Sequence, residues 1–135
     1  PKEIILKEFS VTATENLMMT AALLEGETVI KMAAAEPQVQ DLGNFLQKMG
    51  VEIEGLGTHT LVIKGKKELK GARHEIVSDP IETATFLVLS ALTPGEVIIK
   101  KTEKSHLESF LEKTKEIGVN LEEIDDNTLR VNYSR

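Results

Sequence analysis

The chain has 135 residues, of which 41% are apolar and 28% charged, and its formal net charge is −6. This composition is typical of a folded domain rather than a disordered chain, and the acidic balance argues against a nucleic-acid partner, whose phosphates require clustered lysine and arginine. Cysteine is absent, which excludes disulfides and a cysteine nucleophile within these residues. The longest apolar run, residues 85–92, is too short to span a membrane. We therefore expect a cytoplasmic protein with no membrane contact.

The first half of the chain predicts six elements in the order β-α-β-α-β-β. They are a strand at 4–6, a helix at 14–24, a strand at 27–32, a helix that begins near Glu36-Pro37 and ends before Gly50, and strands at 51–54 and 60–64. The helices show apolar residues at steps of three and four, and the strands alternate with a period of two. Thr12 or Thr14 is placed to cap the first helix. Residues 55–58 provide a hairpin turn between the last two strands.

The second half predicts the same order of elements. They are a strand at 74–77, a helix at 80–92, a strand at 96–101, a helix at 105–117, and strands at 119–124 and 128–133. The helix at 80–92 is apolar on nearly every face, which is typical of a helix that is buried on all sides. A chain of 135 residues can hardly provide such burial, so we expect that more protein normally surrounds this helix or that two copies associate. Strands that alternate with helices in this way predict an α/β fold.

Similar segments recur along the chain with a period of about 68 residues. Residues 50–54 recur as 118–122, residues 59–63 as 127–131, and residues 26–31 as 95–100. Because the three matches occur in the same order, the sequence predicts two tandem β-α-β-α-β-β units. We place the first unit at residues 1–73 and the second at residues 74–135.

Three predicted helix starts carry candidate binding residues. These segments are residues 9–16, 34–37 and 78–83. Backbone N–H groups at a helix N-terminus, helped by hydroxyls, can hold a phosphate. Ordinary helix capping and carboxylate–dipole interactions explain the same residue types equally well. We expect all three segments where strands lead into helices, at the end of the sheet that ligands favour.

The sequence offers no motif for a cofactor or a metal. Residues 55–57 (Gly-Leu-Gly) lie in a predicted hairpin and not between a strand and a helix, so they lack the context of a dinucleotide-binding loop. The three histidines, His59, His74 and His106, show no metal-ligand spacing. We interpret them as surface or strand-edge residues, and we predict no cofactor and no metal.

A dense set of segments carries a resemblance to a known family. As they stand here, they are Ser10-Val11, Ala-Thr-Glu-Asn at 13–16, Glu-Gly-Glu-Thr-Val-Ile at 25–30, Ala-Ala-Ala-Glu-Pro at 33–37, Asp-Leu-Gly-Asn-Phe-Leu at 41–46, Met-Gly-Val-Glu-Ile-Glu-Gly-Leu-Gly-Thr at 49–58, and Ile-Glu-Thr-Ala-Thr-Phe-Leu-Val at 81–88. Together they resemble the UDP-N-acetylglucosamine enolpyruvyl transferases. The match runs from about Phe9 to Val88 and more loosely to Arg135, which makes it more specific than any single motif.

The resemblance implies a fold and an activity. The family moves the enolpyruvyl group of phosphoenolpyruvate to the 3′-hydroxyl of UDP-N-acetylglucosamine in peptidoglycan synthesis. Its fold, an inverse α/β-barrel, has six β-α-β-α-β-β units in two domains, so this chain would be a partial chain covering two of them, one on each side of the hinge. The family's reactive loop and phosphate-gripping cations lie outside the matched segments. We therefore expect no catalytic residue here, and no activity outside the full-length enzyme.

The resemblance also implies substrate-binding residues. Ser10, Val11 and Thr12 match the segment that contacts the nucleotide, and Glu36 and Asp79 match acidic positions near the interdomain cleft. The departures from the family pattern are Glu8 in place of Lys, Thr12 in place of Gly, Gln38 in place of Glu, and Pro80 in place of Arg. A carboxylate at Glu8 would repel a diphosphate at close range, so nucleotide affinity depends on how these departures are accommodated.

Two alternatives stay open. One is a free-standing, non-catalytic two-unit module that binds a nucleotide-sugar or self-assembles. The other is an enolpyruvyl transferase of the shikimate pathway or an RNA-cyclase relative, which the runs at 10–18 and 79–88 and the acidic charge disfavour. A two-unit chain that exposes apolar helix surface is also expected to form a homodimer.

Overall fold

The computed structural model describes residues 2–134, which form two compact units. The division falls between Ile76 and Val77, so His74 belongs to the first unit, whereas the sequence placed it at the start of the second. The predicted strand at 74–77 is wrong, because residues 68–79 contain neither helix nor strand. The ring of His74 bonds instead to the side chains of Asp41 and Lys48, in a helix of the first unit.

The first unit contains a four-stranded sheet and two helices. In chain order its elements are β1 (Lys2–Ile5), α1 (Val11–Ala22), β2 (Gly26–Lys31), α2 (Pro37–Lys48), β3 (Glu52–Glu54) and β4 (Thr60–Gly65). The strand order is β1-β2-β4-β3. β1 runs parallel to β2, whereas the β2–β4 and β3–β4 pairs are antiparallel. The chain therefore crosses over once through α1 and later reverses in the predicted hairpin.

The core of the first unit lies between the sheet and the two helices. Met18 of α1, Ile30 of β2, and Leu61 and Ile63 of β4 are fully buried. Gly65 marks a close approach, because a side chain at this position would meet the backbone carbonyl oxygens at the end of α1. The backbone of β4 thus packs directly against the backbone at the end of α1.

The second unit contains a three-stranded antiparallel sheet and two α-helices. Its elements are α3 (Pro80–Leu92), β5 (Glu96–Lys100), a short 3₁₀ turn (Lys104–His106), α4 (Glu108–Glu116), β6 (Leu121–Asp125) and β7 (Thr128–Asn132). The strand order is β5-β7-β6. The helix predicted at 105–117 is interrupted at Leu107, which leaves helical geometry and is buried in the core.

Within residues 2–134, α3 is not buried on all sides, so these residues alone do not provide the cover that its apolar faces lead us to expect. Leu87 is fully buried, but Ile81, Phe86 and Leu92 are 69%, 52% and 71% exposed. The physical reason is that α3 packs along one face only, against β5 and β7. Across residues 2–134, no helix is both long and apolar enough to cross a membrane.

Candidate functional site

Ser10 is the N-cap residue of α1. Its backbone is extended (φ −124°, ψ 118°), and its Oγ accepts a hydrogen bond from the N–H of Ala13 at 3.3 Å. The prediction that Thr12 or Thr14 caps this helix is wrong, because the helix begins at Val11, three residues earlier than predicted. The first N–H groups of a helix have no intrahelical partner, so those of Val11 and Thr12 face the helix end.

The start of α2 is built by Glu36 and Pro37. The Glu36 carbonyl accepts hydrogen bonds from the N–H groups of Val39 and Gln40 at 3.0 and 3.2 Å. Its carboxylate makes no capping hydrogen bond and is exposed. Pro37 occupies the first helical position, as the sequence predicted. The Glu36 carboxylate therefore lies beside the positive end of the α2 dipole, with its oxygens available.

Thr14 joins these two helix starts. Its buried hydroxyl donates to the carbonyl of Ser10 at 2.7 Å and accepts from the N–H of Ala34 at 3.0 Å. Ala34 lies two residues before Glu36 and is itself buried. The structure thus brings Ser10, Val11, Thr12 and Glu36 to neighbouring positions in the first unit. We call this region, residues 9–14 and 33–38, the paired helix start.

Phe9 and His59 lie at one side of the paired helix start. Their ring centroids are 4.4 Å apart, and Phe9 is 54% exposed. His59 makes two hydrogen bonds to Ala33. The N–H of Ala33 donates to the His59 carbonyl at 3.1 Å, and His59 Nδ1 lies 2.9 Å from the Ala33 carbonyl oxygen. Sequence reasoning missed this contact, because the two rings are 50 positions apart and no spacing rule joins them.

Asp79 lies in the second unit. It caps α3, with Oδ1 accepting from the N–H groups of Ile81 at 2.8 Å and Glu82 at 3.3 Å. Pro80 follows at the first helical position, where its missing N–H is tolerated. No strand leads into α3 among the described residues, so the expected strand-to-helix setting is wrong for this segment. The capping role of Asp79 is the one that its geometry displays directly.

A second polar cluster ties residues 72–76 to α2. His74 Nε2 lies 2.8 Å from Asp41 Oδ1, and His74 Nδ1 lies 3.0 Å from Lys48 Nζ. The side chains of His74 and Asp41 are only 9% and 11% exposed. Because a lysine ammonium can only donate, Nδ1 must accept, and neutral His74 then donates its Nε2 proton to Asp41. The interpretation of His74 as a surface or strand-edge residue is therefore wrong.

A cavity of about 480 Å³ adjoins this cluster. Its walls include Leu42, Phe45, Ala72 and Ile76, and it also reaches Asp41 and His74. Its lining is mainly apolar, and Phe45 packs against the His74 ring with centroids 5.4 Å apart. Among residues 2–134 no group of three or more His, Asp or Glu side chains is arranged to hold a metal ion.

Several charged groups of the second unit pair with one another. Glu123 accepts hydrogen bonds from Lys104 and Lys115, both at 2.9 Å. The Lys104 and Lys115 ammonium groups hold the pKa of Glu123 below its ordinary value, and the bond to Glu123 raises the pKa of Lys104. Both ammonium groups donate to this carboxylate, and the carboxylates of Asp125 and Asp126 also act on Lys104, which makes this surface a poor anion site.

Comparison with known proteins places the chain in a family. A family model described as EPSP synthase (3-phosphoshikimate 1-carboxyvinyltransferase) matches residues 3–135. The UDP-N-acetylglucosamine 1-carboxyvinyltransferase 1 of Caldanaerobacter subterraneus subsp. tengcongensis is 49% identical over 122 residues, covering 90% of this chain and 29% of that protein. The UDP-N-acetylglucosamine 1-carboxyvinyltransferase of Finegoldia magna is 46% identical over 130 residues, covering 96% of this chain and 31% of that protein.

These matches confirm the resemblance inferred from the sequence. The chain spans about three-tenths of the length of these curated relatives. Among solved structures, the enolpyruvyl transferase NikO from Streptomyces tendae matches with a TM-score of 0.79 at 19% identity, over 98% of this chain and 35% of that one. That likeness concerns the fold alone, and it confirms the prediction that the chain has the fold of an enolpyruvyl transferase. Since the family model covers nearly every residue, the chain belongs to the EPSP synthase family of carboxyvinyltransferases.

Proposed function

We propose that this chain is part of a transferase that moves the enolpyruvyl group of phosphoenolpyruvate to the 3′-hydroxyl of UDP-N-acetylglucosamine, in peptidoglycan synthesis. Two relatives at 49% and 46% identity carry the name UDP-N-acetylglucosamine 1-carboxyvinyltransferase, which supports this substrate over shikimate chemistry. The alternative of a free-standing, non-catalytic module finds no support among them. The cytoplasm is the proposed compartment, because both substrates carry several charges and cross a bilayer only at high cost.

We propose that the paired helix start binds part of the nucleotide-sugar. The N–H groups of Val11 and Thr12 and the positive end of the α1 dipole favour an anion such as the diphosphate. The Ser10 hydroxyl already accepts from Ala13, so its own O–H remains to donate to a ligand oxygen. The exposed Thr12 hydroxyl adds a second donor.

We propose two carboxylates as further binding residues, Glu36 in the first unit and Asp79 in the second. Glu36 makes no capping bond, so its oxygens are available to accept hydrogen bonds from hydroxyl or amide groups of the substrate. Asp79 uses Oδ1 for two backbone amides, which leaves Oδ2 as its acceptor for a substrate hydroxyl. Carboxylates do not bind a diphosphate directly, so we assign them to the sugar portion and assign Ser10, Val11 and Thr12 to the nucleotide.

This chain by itself is proposed to be catalytically inactive. Stabilising the phosphate-bearing intermediate requires preorganised cationic groups at the reacting centre. The segments of the paired helix start contain no Lys or Arg, and the nearest basic residues in sequence are Lys7 and Lys31, each two positions away. Release of phosphate from phosphoenolpyruvate that depends on UDP-N-acetylglucosamine, in a preparation of this chain alone, would contradict this part of the proposal.

The test is a calorimetric titration of UDP-N-acetylglucosamine into three variants. Glu8→Lys removes a carboxylate two residues before Ser10 and restores the charge that the family resemblance implies, so it should tighten binding on the order of fivefold. Glu25→Lys makes the same charge change beyond the opposite end of α1 and should leave affinity nearly unchanged. Ser10→Ala should weaken binding. Equal affinities for the two lysine variants, or no binding by any of them at millimolar ligand, would contradict the assignment.

A further inference from the structure

Thr14 has a fully buried hydroxyl that both donates and accepts a hydrogen bond within the paired helix start. It donates to the Ser10 carbonyl at 2.7 Å and accepts from the N–H of Ala34 at 3.0 Å. The first bond lies in the first turn of α1, whereas the second crosses to the segment that leads into α2. Because neighbouring hydrogen bonds in a buried chain polarise and strengthen one another, this hydroxyl connects the two helix starts firmly.

The segment between β2 and α2 is held in an unusual conformation by its hydrogen bonds. It begins with Met32, whose φ of 59° is uncommon for a residue with a side chain and persists only where the surroundings enforce it. Two bonds to His59, at 3.1 and 2.9 Å, fix the next residue, Ala33. Ala34, two residues before Glu36, is where a hydrogen bond joins this segment to α1. The position of Glu36 relative to the α1 start therefore depends on this bond.

The loop after β5 in the second unit provides an internal comparison, because its backbone has the same form. Lys101 adopts a φ of 58°, against 59° for Met32. In each unit the N–H of the following residue donates to the carbonyl of a hairpin residue, at 3.1 Å in the first unit and at 3.0 Å, from Thr102 to Asn127, in the second. The two loops can therefore be compared residue by residue.

Thr83 of α3 corresponds to Thr14 of α1, but within residues 2–134 its hydroxyl makes only the first of the two bonds. It donates to the Asp79 carbonyl, four residues back, at 3.0 Å. The N–H of Glu103, two residues after the residue with positive φ, donates instead to Ser78 Oγ at 3.2 Å. This loop conformation thus forms without a threonine bond, and the bond belongs to the unit that carries the paired helix start.

We propose that Thr14 is a positioning residue of the nucleotide-sugar site, an inference that rests on the function proposed above. Its hydroxyl holds the first N–H groups of α1 and the Glu36 carboxylate at the spacing that one ligand requires. Because Thr14 is fully buried, it acts through the two helix starts that it joins and not by contact with the ligand. A ligand that bonds to both starts then finds them in place, and their ordering does not reduce its affinity.

Calorimetric titration of UDP-N-acetylglucosamine into variants of the full chain tests the inference. Thr14→Val keeps the shape of the side chain but removes the hydroxyl, and it should weaken binding on the order of tenfold. Thr14→Ser keeps a hydroxyl for both bonds and should retain most of the affinity. Thr114→Val is the matched control, because Thr114 is also buried but its hydroxyl bonds within α4, to the Leu111 carbonyl. This control should leave the affinity nearly unchanged.

A double-variant cycle with Glu36→Gln distinguishes positioning from a general loss of order. If Thr14 acts through Glu36, Thr14→Val should weaken binding much less in the Glu36→Gln background than in the unchanged chain. An equal loss of affinity in both backgrounds would overturn the inference. Full affinity in Thr14→Val, or equal weakening by Thr14→Val and Thr114→Val, would overturn it as well.

An amide chemical-shift titration of the unchanged chain gives a second test that does not require a variant to fold. The N–H of Ala34 bonds to Thr14 Oγ1, so its signal should shift when the ligand binds at the α1 start. Shifts at Val11 and Thr12 without a shift at Ala34 would overturn the inference and leave the proposed binding intact. Absence of any shift at millimolar ligand would instead contradict the proposed function, and the inference with it.

Discussion

The two units share an order of elements but differ in how completely each covers its sheet. The first buries twelve apolar residues in its core cluster and the second buries six. The first has a parallel strand, β1, on the outer side of β2, whereas no strand among residues 2–134 covers the corresponding side of β5. Met18 of α1 is fully buried, whereas α3 exposes most of its apolar side chains. Hydrophobicity of a segment therefore does not by itself tell how much of it is buried.

This difference assigns distinct tasks to the two units. The first unit has the larger core, and its two helix starts are held together by the buried hydroxyl of Thr14. A site for a charged ligand requires such fixed positions for its N–H groups. The second unit exposes apolar side chains on α3 and β5, which is typical of a surface that other protein covers. Each prediction below alters one side of this comparison.

The largest effect is expected from removing matched core leucines. Leu61→Ala in β4 and Leu129→Ala in β7 each delete a side chain that is almost completely buried, and each should lower the free energy of unfolding by about 3 kcal/mol. Because the second core is smaller, Leu129→Ala should unfold the second unit. Leu61→Ala should leave the first unit folded, with its denaturation midpoint at a lower denaturant concentration. Chemical denaturation followed by residue-resolved amide signals would distinguish these results.

The control for the core variants is Leu23→Ala, a side chain that is 59% exposed. It makes the same chemical change with little loss of burial, so stability should shift by less than about 0.5 kcal/mol. If the second unit stayed folded in Leu129→Ala as the first unit does in Leu61→Ala, the two cores would be equally robust and the main contrast between the units would be removed.

Adding a methyl group at Gly65 should weaken the first unit alone. The new carbon would collide with the carbonyl oxygens of Ala21 and Leu24, and backbone atoms cannot move aside as a flexible side chain can. The expected loss is about 2 kcal/mol by thermal denaturation. Gly71→Ala is the matched control, because a carbon there meets nothing within 4 Å, and it should leave the melting temperature nearly unchanged.

Replacing His74 should lower the free energy of unfolding, because it leaves a buried carboxylate without its partner. His74→Ala leaves Asp41 without its partner, and the expected loss is about 2 kcal/mol. In the double variant with Asp41→Ala the loss should be smaller than the sum of the single losses, because the two side chains interact directly. Strictly additive losses in denaturant titrations would contradict the hydrogen-bonded pair.

The smallest effect is expected at Glu123 in the second unit. Lys104 and Lys115 hold its folded-state pKa below the ordinary glutamate value, so the unfolded state binds more protons as the pH falls through this range. The stabilisation is therefore present above the ordinary glutamate pKa and is lost as the pH falls toward the folded-state pKa. Glu123→Gln should cost less than about 1 kcal/mol at neutral pH and nothing in acid. A stability difference that persists unchanged at low pH would contradict this account.

Much of the fold could be predicted from hydrophobic periodicity and from the proline and glycine residues that begin and end its elements. Helix α3 was predicted at its observed bounds, because Pro80 at its first position and Thr93-Pro94-Gly95 after its end are strong local signals. The hairpin at 55–58 was also predicted, and Gly55 and Gly57 adopt positive φ values of 84° and 81° there. The strand at 74–77 was wrong, because its conformation depends on the distant Asp41 and Lys48, which local propensity does not include.

The candidate site was only partly predictable. Capping residue types located the helix starts at Glu36 and Asp79, but they placed the cap of α1 at Thr12 or Thr14 instead of Ser10. The buried hydroxyl of Thr14 bonds across 20 positions to Ala34, and such long-range bonds leave no periodic signal. The assignment of these residues to UDP-N-acetylglucosamine stays a prediction, because it comes from the family resemblance and not from local chemistry.

The most direct test of the central claim is an amide chemical-shift titration of this chain with UDP-N-acetylglucosamine. The account predicts saturable shifts at Val11, Thr12 and Gln38 in the paired helix start and near Asp79, with none around Glu123, where the ammonium groups are already paired. Absence of shifts at millimolar ligand, or shifts concentrated around Glu123, would contradict the claim that the paired helix start holds part of the nucleotide-sugar.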